Sequence, residues 1–148
     1  MQISTIATKI NFYSEGIDFV LPQKGKIRNW IADILHSFGY TLSELNFIFV
    51  SDEHLYQMNV SHLQHEYYTD IMTFPYHEPD SKQIHSDIYI SIDRVGENAK
   101  IVNVDFLEEL HRVMIHGVLH MMGFDDHEEE DKKRMKQQED SALSKRVF

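Results

Sequence analysis

The spacing of apolar positions changes several times along this chain, and each change marks an element. In residues 22–39, Ile27, Trp30, Ile31, Ile34, Leu35 and Phe38 recur every three or four positions. That spacing predicts a helix with a core-facing stripe, ended by Gly39. Residues 45–50, LNFIFV, form a short apolar run that predicts a buried strand. Ser51 follows as a cap for a short helix over 52–59. Strands are also predicted at 2–7 and 10–13 from β-branched and aromatic residues, at 70–74 ahead of Pro75, and at 87–92 from alternation. The polar stretch 76–86, with Pro79, reads as a loop, as does the start of the 60s. Asp93 is placed to cap a helix over 94–103. A charged helix over 128–143 carries Met135 and Leu143 on one side, which predicts that much of it faces water.

The most informative pattern is DFLEELHRVMIHGVLHMMGFDDH, residues 105–127. Phe106, Leu110, Val113, Met114, Val118 and Met121 keep a helical period. Asp105 and Glu108 have capping-box spacing, and Gly123 sits where a C′ glycine stops a helix. His116 and His120, four residues apart, stack on one face with Cβ atoms about 6 Å apart. Two imidazoles so placed can share one metal ion, and the glycine turn returns Asp125, Asp126 and His127 toward them.

Composition limits the rest. The 148 residues match one ordinary domain, read as 1–148, and 42% apolar content supports a core. No stretch is long and apolar enough to predict a membrane span, and the first residues lack a signal-peptide pattern. With no cysteine, disulfides and thiolate ligands are excluded, which fits an intracellular protein. The net charge of −10 argues against generic binding to a nucleic-acid backbone, and no DNA partner is expected. Part of that charge is local, with six acids in the seven residues 125–131. Interleaved strands and helices without strict alternation predict an α/β or α+β fold: a small mixed sheet packed with helices, one of them bearing a zincin-like HxxxH.

Three protein ligands leave one position on a zinc ion open, where bound water is acidified toward a pKa of about 7. This points to metal-assisted hydrolysis. Zinc peptidases of the H-E-x-x-H type place a glutamate base after the first histidine, but here that residue is Gly117. Asp125, Asp126 and Glu129 are the replacement bases the sequence offers. Arg112 and Glu109, one and two turns before His116, are candidates to orient a ligand, and Arg112 is equally a candidate phosphate contact.

The segment HGVLHMMGFDDH resembles the H-G-x-L-H-L-x-G-Y-D-H signature of the YbeY family of endoribonucleases, which act in ribosomal RNA maturation. FVSDEHLYQMN, YYTDIMTFP, SDIYISIDRVGENA and ELHRVMIHG resemble further family segments in the same order, so the likeness runs from about Leu45 to Glu139. The resemblance implies an α/β metalloprotein with a zinc site near the sheet. It implies a cytoplasmic, single-strand-specific endoribonuclease that processes the 3′ end of small-subunit ribosomal RNA and takes part in ribosome quality control. The first two metal histidines of the family fall on His116 and His120.

Two positions depart from the signature. The third family histidine is the tenth residue after the first, which here is Asp126, with His127 one later. Counting selects Asp126, while imidazole chemistry favours His127 at the cost of a turn one residue longer; Asp126 is preferred, and only one of the two is expected to serve as third ligand. The family commonly has an arginine shortly after the residue matching Asn59, and that place holds Leu63 between His62 and His65. Two other functions therefore stand beside the endoribonuclease: a non-catalytic, metal-stabilised ribosome-assembly or RNA-binding factor, and a zincin-type peptidase.

Overall fold

The computed structural model describes residues 9–63 and 69–148. The strand expected at 2–7 lies outside them. The elements run β1 (Ile10–Ser14), α1 (Lys24–Ser37), β2 (Thr41–Val50), α2 (Asp52–Met58), a π-helical turn (Asn59–Leu63), β3 (Ile71–Pro75), β4 (Gln83–Ser91), α3 (Ile92–Val102), α4 (Phe106–Met121) and α5 (Glu129–Ser144). The four strands form one mixed sheet in the order β1-β2-β4-β3. β1, β2 and β4 are parallel, and β3 is antiparallel to β4.

β2 shows why the sheet is covered on both faces. Side chains alternate along a strand. Leu45, Phe47 and Phe49 enter the main core with α1 and α4, while Ile48 and Val50 pack on Leu55 of α2 and Met72 of β3. A strand buried on both sides must be apolar at consecutive positions, as Phe47, Ile48, Phe49 and Val50 are. β4 adds Ile84, Ile88 and Ile90 to the main core, each fully buried. Residues 83–86, expected as loop, therefore belong to the strand: Ile84 and Ser86 point inward, and the register pairs them with Leu42 and Leu45. The same pairing extends β2 back to Thr41, past an irregularity between Leu42 and Glu44.

The helix starts agree only in part with expectation. Ser51 caps α2 as its position suggests, accepting from the His54 amide at 3.1 Å. The cap of α3 is Ser91, whose Oγ accepts from the Arg94 amide, while Asp93 accepts from the Asp52 amide and ties α3 to α2. At the start of α4, Asp105 makes no side-chain cap, and Glu108 pairs with Arg146 instead of closing a capping box. The charged tail helix faces water over most of its surface, with Met135 and Leu143 on its packed side as expected. Ala142 and a carboxylate, Glu139, are buried beside them where α5 packs along α4.

Candidate metal centre

α4 carries the centre because it is seated firmly on the sheet. Leu110, Val113, Met114, Ile115, Val118 and Leu119 are all buried. Gly117, between the two histidines, faces the sheet: a Cβ there would lie 2.8 Å from Ile71 Cδ1 and 3.1 and 3.2 Å from two Ile88 atoms. The glycine allows α4 to approach β3 and β4 closely. It also shows why no base stands at this position, which faces apolar side chains and not the cleft.

The end of α4 fixes the turn. Gly123 has φ +93, a conformation open to glycine and costly for other residues. Its amide donates to the His120 carbonyl and the Phe124 amide to the Leu119 carbonyl, both at 3.0 Å. This is the Schellman pattern. Phe124 packs edge-on to Phe38, and the Tyr40 hydroxyl donates to the Met122 carbonyl at 3.0 Å. The chain leaves this cap folded back toward the histidines.

Asp126 is the residue that arrives there. Its Oδ2 lies 3.3 Å from His116 Nε2 and 3.4 Å from His120 Nε2, and the two Nε2 atoms are 3.0 Å apart. Tetrahedral zinc with bonds of about 2.0–2.1 Å sets its ligand atoms about 3.3–3.4 Å apart. The three donors thus outline one face of such a tetrahedron, so the residues present fit a zinc-sized cation with a fourth position left over. His127 does not join them. Its largely exposed ring places Nε2 3.2 Å from Asp125, in a separate surface group with Asp125 and Asp126.

The surroundings are anionic. Glu139 Oε2 accepts from His116 Nδ1 at 2.6 Å, which leaves the Nε2 lone pair facing His120 and Asp126. Glu139 Oε1 accepts from Arg112 Nη1 at 2.8 Å, and Arg112 Nη2 donates to Asp140 at 2.7 Å. Arg112 is thus committed to two carboxylates and is not presented as a phosphate clamp. Burial acts to lower the His116 pKa, but the Glu139 hydrogen bond and the charges of Glu139, Asp126 and Asp70 outweigh it and raise it. A field that favours a proton on this ring favours a cation in the same place.

A cleft of about 570 Å³ opens from His116 and Asp126 between α3, α4 and α5, walled by Val104 and Met135 and by Lys132 and Lys136. A second, of about 350 Å³, reaches Asp70 and Glu109. Burial lifts the Asp70 carboxyl despite the opposing charges of His116 and Arg94. Burial, with help from the Asp70 charge, lifts Glu109. Neither Asp125 nor Glu129, proposed from sequence as bases, borders these clefts; both are exposed. Sequence reasoning passed over Glu139 and Asp70. A signal for Glu139 existed: it lies four residues after Met135 and four before Leu143, in the middle of the apolar side of α5.

Comparison with known proteins places this geometry. Residues 11–146 match the family described as Endoribonuclease YbeY. The protein of that name from Cytophaga hutchinsonii is 45% identical over 94% of this chain and 96% of its own length. Those from Amoebophilus asiaticus and Christiangramia forsetii are 43% and 42% identical, over 88% and 92% of this chain and 88% and 93% of their own. The solution structure of TM1509 from Thermotoga maritima matches with a TM-score of 0.65 and 27% identity, over 91% of this chain and 87% of that one. Because the matched span takes in the sheet, the ligand helix and Glu139, and the relatives align nearly end to end, this chain belongs to the YbeY endoribonuclease family.

Proposed function

We propose that this protein is a metal-dependent, single-strand-specific endoribonuclease of ribosomal RNA maturation, with His116, His120 and Asp126 holding one zinc ion. The observation that carries the reading is the tetrahedral spacing of those three donors in a chain whose relatives are named endoribonucleases. When bound, the ion supplies a Lewis acid and an acidified water. The chain supplies position and protons. The imidazoles sit on a helix fixed to the sheet, and Asp70 and Glu109, with their lifted pKa values, are the carboxyls best suited to carrying a proton beside the cleft. Lys132 and Lys136 on the outer wall attract phosphate in an otherwise acidic molecule. The substrate is the precursor of small-subunit ribosomal RNA, cut near its 3′ end in the context of the small subunit, in the cytoplasm. No helix among the described residues is long and apolar enough to cross a membrane.

Cleavage of a single-stranded RNA by purified protein, with and without chelator, tests this. Activity is expected to vanish with chelator and in His116→Ala, and return with zinc. Undiminished cleavage by His116→Ala, with contaminating nuclease excluded, refutes the metal mechanism.

One observation favours a second reading. Leu63 stands where the family commonly has an arginine, which fits a metal-stabilised RNA-binding factor without cleavage. On that reading His120→Ala lowers Tm and there is no cleavage to lose. The peptidase reading has lost support, since residue 117 faces the sheet and not the cleft.

A further inference from the structure

We infer that Glu139 is a positioning residue for the metal centre, and that through it metal binding and the docking of α5 on α4 are coupled. The inference rests on the zinc reading above.

The argument begins with what a buried carboxylate requires. Glu139 is 8% exposed, and a buried charge is costly unless it is paired and hydrogen-bonded. Both of its oxygens are engaged, Oε1 by Arg112 and Oε2 by His116 Nδ1. Arg112 neutralises it, so the carboxylate remains an acceptor for the His116 N–H. That hydrogen bond selects the tautomer whose Nε2 lone pair faces the other two donors and fixes the plane of the ring. A carboxylate behind a metal-binding imidazole also makes the ring a stronger donor, and losing such a partner typically costs about 10–100-fold in metal affinity.

The coupling follows from where these groups lie in the chain. His116 and His120 belong to α4. Asp126 belongs to the segment leading into α5, and Glu139 to α5 itself. Apolar burial of α5 is confined to Met135, Ala142 and Leu143, so the polar anchor is a large part of its attachment. An ion drawn to both imidazoles and Asp126 therefore also holds α5 in place, and by reciprocity docked α5 raises the affinity for the ion.

The test measures zinc affinity by competition with a chromophoric chelator, the visible spectrum of the cobalt-substituted protein, and amide hydrogen exchange in α5 with and without zinc. It compares wild type, Glu139→Gln and Arg112→Gln, with circular dichroism checking the fold. Wild type is expected to bind one zinc and to gain protection in α5. Glu139→Gln is expected to bind about 10–100-fold more weakly, with an altered cobalt spectrum and little zinc-dependent protection. Wild-type affinity and spectrum in Glu139→Gln overturn the inference. Should that variant not fold, the same result in Arg112→Gln overturns it. A wild type that binds no zinc overturns the metal reading itself, which separates the two failures.

Discussion

At position 126 a carboxylate stands where the family signature places a histidine, and the geometry bears on the preference for it that counting suggested. The aspartate reaches both imidazoles, whereas His127 turns out to Asp125. A carboxylate adds a negative charge that two imidazoles lack, so water on an ion held this way is less acidic than with three histidines. Asp126→Ala is expected to lower zinc affinity by more than about 100-fold, beyond the loss of an outer partner, and His127→Ala to leave it unchanged; competition titration reads both. Equal losses in the two variants would reject the assignment. The histidine pair was legible because i, i+4 geometry is local. The third position was legible only as a preference for Asp126 from counting, because choosing between adjacent residues depends on the Schellman turn at Gly123, and one residue of difference there redirects a side chain.

At the scale of elements, α4, the sheet and the water-facing character of α5 were legible, and only the buried carboxylate of α5 was missed. A period of 3.6 in α4 and an apolar run in β2 are strong signals. α5 has few apolar residues, and its buried Glu139 looks like one more surface acid until Arg112 and His116 are brought beside it by the tertiary fold. The loop expected at 83–86 failed for a related reason: Ile84 and Ser86 are inward only because β2 lies beside them. Gly117 offers a test at this scale. A glutamate side chain in its place would put a charge among Ile71 and Ile88 without a partner. Gly117→Glu is expected to cost at least about 3 kcal/mol in urea unfolding and to create no peptidase activity. A variant as stable as wild type would mean that α4 can leave the sheet.

For the molecule as a whole, pH acts on the fold through His111. Its ring lies against Trp30 and Phe148, and its Nδ1 accepts from Arg146. Burial first, and then the charge of Arg146, lower its pKa from 6.5 to about 4. Above pH 6.5 the ring is neutral in folded and unfolded chains, and stability is full. As pH falls from 6.5 toward 4, the unfolded chain takes up a proton that the folded one refuses, so stability declines; below 4 this contribution is exhausted. Discounted for solvent screening, the loss is on the order of 1–2 kcal/mol. His111→Gln keeps an acceptor for Arg146 and is expected to flatten the Tm profile across that window relative to wild type. Parallel profiles would show that the carboxylates alone set the acid limit.

The close seating of α4 at Gly117 has a consequence for how an ion comes and goes. Two of the three candidate donors ride on a helix that Gly117 seats against Ile71 of β3 and Ile88 of β4, while Asp126 hangs from a short irregular stretch beyond the helix. An ion held by these donors is expected to exchange from one side, with the carboxylate letting go first while the imidazole pair keeps its aim for the next.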